Sequence, residues 1–226
     1  MNKLFVLSGA SGSGKSSLLS KIVEENLCEQ TPKYSSRERR SSGFDDVIHI
    51  KIDDLKKKCD VIYERYGTYY GINTEEIKKG LQQNNQILII SDIKAIETLK
   101  KHLGNDVLII FIYLQDLSLD NLLKERYKLQ LNDKESDELA NHILSSRKIR
   151  NKKWLDSVPE NIIKKIKDSF SNNERHQEFI KRCNSWVELD LEYEKNGGLF
   201  TSTIKGITVD ELFDKFKNQI FKKYNK

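Results

Sequence analysis

The chain has 226 residues, of which 37% are hydrophobic and 32% charged, with a formal net charge of +5. That length suits one sizeable α/β domain with sub-domains set into it, and the composition lies on the polar side of globular but well short of disorder. The mild positive excess fits anionic small molecules such as nucleotides. No aromatic-basic motif of the RNA-reading kind occurs, so no nucleic-acid partner is expected.

Cys28, Cys59 and Cys183 are widely spaced and form no C-x-x-C pair, which argues against a disulfide framework or a zinc site and for a reduced, cytoplasmic protein. Residues 1–7 are too short for the apolar region of a signal peptide, and no run approaches a membrane span, so no membrane partner is expected. Oligomeric state is not readable from these features.

In chain order, Leu4-Phe5-Val6-Leu7 is a short apolar run suited to a buried strand. Gly9-Ala10-Ser11-Gly12-Ser13-Gly14-Lys15-Ser16 comes next and fits the phosphate-binding pattern G-x-x-x-x-G-K-[ST] at every fixed position. Gly9, Gly12 and Gly14 let the backbone curl so that successive N–H groups converge on one anion. Lys15 supplies positive charge for the terminal phosphates, and the Ser16 hydroxyl is the expected Mg²⁺ ligand. From Ser16 on, Leu18, Leu19, Ile22 and Val23 fall on one helical face, and that helix aims its positive end at the same phosphates. Residues 9–17, Ser17 included, are thus the expected seat of ATP with Mg²⁺.

Residues 86–90 and 107–113 are continuous β-branched runs, as expected of strands covered on both faces of a parallel sheet, and 203–207 is a candidate fourth strand. With helical segments between them, the expected fold is α/β: a phosphate-loop NTPase-type parallel sheet with helices on both faces. Thr208-x-x-Glu211 is a capping box that opens a last helix with Leu212, Phe213, Phe216, Ile220, Phe221 and Tyr224 on one stripe. Two stretches break the alternation. Residues of about 33–84 carry arginines, tyrosines and glycines, and those of about 118–198 are strongly charged and helical in pattern. The expected organisation is one domain, with a core of about 1–32, 85–117 and 199–226, an acceptor-binding insertion of about 33–84 and a helical lid with an extra segment of about 118–198.

The loop, read as Ser8-Gly9-Ala10-Ser11-Gly12-Ser13-Gly14-Lys15-Ser16-Ser17-Leu18, resembles the guanylate kinase pattern G-P-S-G-x-G-K-[ST]-[ST]-L. Ser35-Ser36-Arg37-Glu38-Arg39-Arg40 is similar to that family's T-T-R-x-P-R, and Gly67-Thr68-Tyr69-Tyr70-Gly71 to its G-N-Y-Y-G. The resemblance covers about the first half of the chain. It implies a nucleoside monophosphate kinase that uses ATP and Mg²⁺, with GMP as first candidate acceptor. Arg37 and Arg40 would grip the acceptor phosphate, where a guanidinium fork suits a pair of oxygens. Ser35 and Tyr70 join that site. Asp92, at the end of a buried strand, either contacts the acceptor or metal shell or caps the end of that strand. Arg126 and Arg147, with Arg150 in reserve, are the expected lid arginines that clamp the transferring group.

The chain departs from the family where the base is read. The guanine-reading glutamate aligns with Val61, or with Asp60 or Glu64 if a one-residue gap is allowed. Ile72 stands where the family has a hydroxyl residue after Tyr-Tyr-Gly, Lys33 where it has a further guanine-contacting serine, and His49 or Ile50 near the place of the tyrosine after the arginine pair. The expected D-x-D reads Ile90-Ser91-Asp92. Phosphate-gripping residues persist while base-reading ones do not, which keeps a second reading open: a kinase of another phosphorylated acceptor, a different nucleotide or a ribose phosphate. A non-catalytic binding module is the third reading, disfavoured by the intact loop.

Overall fold

The computed structural model describes residues 1–9, 13–38, 46–65, 67–115, 123, 128–148, 154–170, 173, 175–177, 179–180, 183–184, 199–206 and 208–225. Its centre is a five-stranded sheet of β1 (Leu4–Gly9), β2 (Glu29–Gln30), β7 (Gln86–Ile89), β8 (Ile109–Gln115) and β9 (Ser202–Lys205). The spatial order is β2-β7-β1-β8-β9, and every pairing is parallel. Leu4 of β1 stands between Gln86 and Ile109, and Leu7 between Ile89 and Ile112.

Alternation along β1 explains why its sequence reads as unbroken hydrocarbon. Phe5 and Leu7 pack on one face with Leu18, Leu19 and Ile22 of α1 (Lys15–Glu24) and with Leu212 and Phe213 of α7 (Val209–Lys215). Leu4 and Val6 pack on the other face with Ile77 of α3 (Thr74–Leu81) and with Ile93, Ile96 and Leu99 of α4 (Ile93–Leu103). Both faces are buried, so both sets of alternating residues must be apolar. This is the α/β architecture with helices on both faces that the sequence predicts. The predicted strands at 4–7, 86–90, 107–113 and 203–207 are found with shifts of one or two residues. The fifth strand, β2, carries no apolar signature and was not anticipated.

The start of α7 bears out the capping signal: the Thr208 hydroxyl accepts from the Glu211 amide at 3.2 Å. The helix runs on through a π-helical stretch, Phe216–Phe221, to Lys222–Tyr224.

A second, smaller sheet lies between β2 and α3 in the chain, in the order β4-β3-β6-β5. Its strands are β3 (Lys33–Ser35), β4 (Ile48–His49), β5 (Val61–Arg65) and β6 (Thr68–Ile72), with α2 (Ile52–Lys58) between β4 and β5. β6 is antiparallel to both β3 and β5, and β5 packs on α4. Further on, α5 (Asp133–Lys148) and α6 (Glu160–Asp168) contribute Leu139, Ile143, Ile162 and Ile166 to a cluster with Leu123, Phe179 and Cys183. Asn132 and Glu135 cap α5 reciprocally, with side-chain-to-amide bonds of 2.9 and 3.0 Å. Trp186 lies outside the described residues. Among the described residues no helix is long and apolar enough to cross a membrane.

Candidate phosphate and acceptor sites

β1 delivers the chain to Gly9 at the carboxyl edge of the parallel sheet, where open α/β folds place their ligands. Gly9 adopts φ +145°, and a Cβ there would lie 2.5 Å from the Leu114 carbonyl oxygen and 2.8 Å from Ser13 Oγ. Backbone conformation and close approach therefore both demand glycine. Gly14, at φ +87°, stands at the N-cap of α1, which has no side-chain cap and no acidic residue in its first turn. Nothing in that turn offsets the positive end of the helix, an arrangement suited to an anion. Lys15 curls back over the loop, its Nζ donating to the Gly9 carbonyl at 2.9 Å and to Ser13 Oγ at 3.4 Å. Ser16 is half-buried and Ser17 exposed, while residues 10–12, with Ala10, Ser11 and Gly12, lie outside the described residues.

The small sheet brings two of the predicted acceptor residues, Ser35 and Tyr70, into register. Ser35 stands opposite Tyr70, which stands opposite Tyr63. The buried Ser35 hydroxyl donates to the Tyr69 carbonyl and accepts from the Arg37 amide, both at 3.2 Å. His49 Nδ1 donates to the Arg37 carbonyl at 2.8 Å. The Arg37 backbone is thus held on both sides, and its guanidinium lies 3.9 Å from Asp46 Oδ1. Lys33 pairs with Asp46 Oδ2, donates to the Ile89 carbonyl at 3.0 Å and sits 5.8 Å from the Tyr70 ring centre. Tyr70 stacks on Tyr63 with ring centres 5.3 Å apart. Burial pushes the Tyr63 phenol well above its ordinary range; Tyr70, Asp46 and Asp92 add to the shift and Arg65 opposes it. The hydroxyl therefore stays protonated, a donor rather than a phenolate.

This face is joined to the end of β7 at two points, by Lys33 to the Ile89 carbonyl and by Arg65 to the Ser91 carbonyl. Asp92 caps α4, its carboxylate accepting from the Ala95 amide at 2.8 Å. Arg40 and Arg126 lie outside the described residues, as does Arg150. Arg147 falls in the last turn of α5, where only the backbone is described.

The positions left open for reading a base have definite surroundings. Lys33, Ile72 and Val61 form one rung across β3, β6 and β5. Val61 and Ile72 are fully buried in the cluster with Leu4, Val6 and Ile77. Asp60 is engaged with the first residue of α3, accepting from the Thr74 amide at 2.9 Å and from the Thr74 hydroxyl. Glu64 is exposed and hydrogen-bonds Tyr69. Asp46, Tyr63 and Arg65 contact the predicted residues or the end of β7, and the sequence reading does not single them out. The alternation Val61-x-Tyr63-x-Arg65 was a readable strand signal, whereas nothing local marks Asp46. Among the described residues no group of three His, Cys, Asp or Glu could hold a metal ion.

No family model matches the chain. It is similar to the guanylate kinase of Bartonella quintana, 29% identical over 116 residues, 48% of this chain and 52% of that one. It is 25% identical to that of Bartonella henselae over 158 residues, 67% of this chain and 69% of that one. It is 28% identical to that of Chlamydia trachomatis serovar D over 144 residues, 60% and 67%. The chain therefore matches between about half and about two thirds of these relatives' length. The crystal structure of guanylate kinase from Anaplasma phagocytophilum shares the fold, with a TM-score of 0.56 at 12% identity, covering 100% of this chain and 87% of that one.

Proposed function

We propose that this chain, a divergent relative of the guanylate kinases, transfers the γ-phosphoryl group of ATP to a nucleoside monophosphate, with GMP the first candidate. The observation that carries the reading is the loop itself. A glycine whose Cβ would fill the cradle, an uncapped helix N-terminus and Lys15 folded over the Gly9 carbonyl stand together at the carboxyl edge of a parallel sheet. These groups fit a polyphosphate. Ser16 is the residue here that would hold Mg²⁺, which when bound offsets charge on the phosphate oxygens.

Phosphoryl transfer needs in-line placement and cancellation of charge more than covalent help from the protein. Lys15 exchanges its loop contacts for phosphate oxygens on the donor side. Arg37, with its backbone fixed by Ser35 and His49, offers a guanidinium fork to the acceptor phosphate, and Tyr70 offers a hydroxyl. Arg40, Arg126 and Arg147 complete the clamp in this reading. The 33–84 stretch serves as acceptor insertion and 118–198 as lid, which on closing exclude water and suppress ATP hydrolysis. The reading is that of a cytoplasmic enzyme with small-molecule partners.

A second reading, a kinase of another phosphorylated acceptor such as a ribose phosphate, is favoured by the apolar rung of Val61 and Ile72. The test is coupled ADP release with ATP–Mg²⁺ against nucleoside monophosphates and pentose phosphates, with Lys15→Ala as control. Turnover with a phosphorylated acceptor that falls by about 100-fold or more in Lys15→Ala supports the function. ATP binding without transfer to any of these acceptors, or undiminished turnover in the variant, overturns it.

A further inference from the structure

The rung of the small sheet next to Val61 and Ile72 carries three hydroxyl groups. Ser35, Tyr70 and Tyr63 stand opposite one another across β3, β6 and β5. Paired residues of a sheet project from one face, so the two phenols leave it on the same side. Their rings are 5.3 Å apart at an interplanar angle of 17°, a stack that holds the Tyr63 ring in place. Tyr63 is half-buried, and its ring packs against the cluster of Leu4, Val6 and Ile77. The phenol oxygen lies among polar groups, since Tyr70, Asp46, Asp92 and Arg65 are all near enough to act on its charge. The two carboxylates are engaged elsewhere, Asp46 with Lys33 and Asp92 with the Ala95 amide. The Ser35 hydroxyl is bonded to main chain on both sides. Among the described residues the Tyr63 hydroxyl has no hydrogen-bond partner. A tyrosine hydroxyl withdrawn from water ordinarily has one. Packing and stacking account for the ring, and phenylalanine would serve both, so the hydroxyl calls for a separate explanation.

We propose that Tyr63 is a second phenol donor of the acceptor site, its hydroxyl hydrogen-bonding the acceptor phosphate beside that of Tyr70. The proposal rests on Tyr70 and Arg37 facing that phosphate, as read above. A terminal phosphate presents several anionic oxygens, so it accepts from a guanidinium and from two phenols at once. A phenol that keeps its proton is a donor to such an oxygen, and a donor to a charged acceptor makes one of the stronger hydrogen bonds. The stack on Tyr70 restrains the ring before the ligand arrives, so little side-chain freedom is lost on binding. The strand itself is also held: Arg65, two residues on from Tyr63 on the same face of β5, donates to the Ser91 carbonyl beyond β7. β7 pairs with β1, the strand that ends at Gly9, so Tyr63 is tied to the same sheet edge as the donor loop.

Tyr63→Phe keeps the ring and its stack and removes the hydroxyl alone, which separates binding from packing. With the glycine loop saturated by ADP–Mg²⁺, the intact chain and the variants Tyr63→Phe, Tyr70→Phe and Arg37→Lys are titrated with inorganic phosphate by calorimetry. In the parent the tyrosine ¹³Cζ resonances are followed by NMR, that of Tyr63 being assigned by its loss in Tyr63→Phe. Phosphate is expected to move the Tyr63 resonance, and Tyr63→Phe to bind it about fivefold more weakly at an unchanged Tm. Unaltered affinity in Tyr63→Phe, with Tyr70→Phe and Arg37→Lys both weakened, overturns the proposal and leaves the acceptor site standing. A Tyr63 resonance that stays put overturns it too. Weaker binding accompanied by a lowered Tm assigns the hydroxyl to the fold and has the same consequence. If Tyr70→Phe and Arg37→Lys bind phosphate as the parent does, the acceptor reading falls and the proposal with it.

Discussion

Val61 and Ile72 stand opposite each other across β5 and β6, and neither exposes any surface. The next position on that rung is Lys33, whose ammonium is taken up by Asp46 and by the Ile89 carbonyl. Both apolar positions are therefore spent on the core and offer neither a polar group nor any surface to a ligand. Discrimination between bases of similar size is strong only when mismatched polar groups are left unpaired, and side chains of this kind have none to leave.

The first prediction concerns selectivity. Among nucleoside monophosphates that are accepted, kcat/KM for GMP and AMP should differ by less than about tenfold. Steady-state kinetics with both acceptors checks this, and a preference for GMP of about 1,000-fold would mean that a group elsewhere reads the base.

Gly9→Ala should damage the loop from within. Its Cβ would meet a backbone carbonyl, that of Leu114, at 2.5 Å, and φ +145° disfavours any side chain. No rotamer change relieves a clash with backbone, so the variant should lose about 1–3 kcal/mol of stability. Urea denaturation measures that loss, and ATP titration should show weakened binding in the same variant.

Asp60 should contribute stability that depends on its charge. Burial by itself would raise its pKa, but hydrogen bonds from the Thr74 hydroxyl and amide, then from its own amide, outweigh this and hold the group below its ordinary value of 3.8. A carboxyl depressed in the folded state stabilises above its unfolded pKa and loses that contribution as pH falls through the folded pKa. Asp60→Asn should therefore cost about 1 kcal/mol at neutral pH. The deficit should shrink as pH falls below 3.8. Denaturation at pH 7 and again well below that value checks it; an equal deficit at both would remove the charge as the cause.

His176 should make the α5–α6 cluster sensitive to acid. It is 8% exposed, lies 5.8 Å from the Phe170 ring centre, and its Nε2 has no hydrogen-bond partner among the described residues. Burial, then the charge of Lys167, pushes its pKa below the ordinary 6.5. The unfolded chain then takes up the proton more readily, so stability is full above 6.5 and declines as pH falls below it. His176→Phe should flatten that decline. Tm measured from pH 7.5 to 5.5 in both proteins tests it, and parallel curves would exclude His176 as the source.

How much of this was legible in the sequence depended on whether the deciding forces were local. At Gly9, Gly14 and Lys15 the glycine loop is legible locally, because the positive φ of the two glycines and the reach of the lysine act within a few positions of chain. The strands β1, β7 and β8 were readable because a sheet buried on both faces needs uninterrupted hydrocarbon. The Thr208 cap and the one-sided apolar face of α1 were equally local.

Tertiary structure decided what depends on partners distant along the chain. Glu29 and Gln30 become a strand only because β7 offers a free edge, since nothing in two polar residues drives pairing. The strands of the small sheet are two to five residues long, and their rungs come from pairing rather than propensity. The fates of the carboxylates were settled in the same way: Asp60 at Thr74, Asp92 capping α4, and Asp46 between Lys33 and Arg37. A side chain's chemical type is written in the sequence, but whether its charge is spent on the fold or offered to a ligand depends on which group the folded chain sets within about 3–4 Å of it.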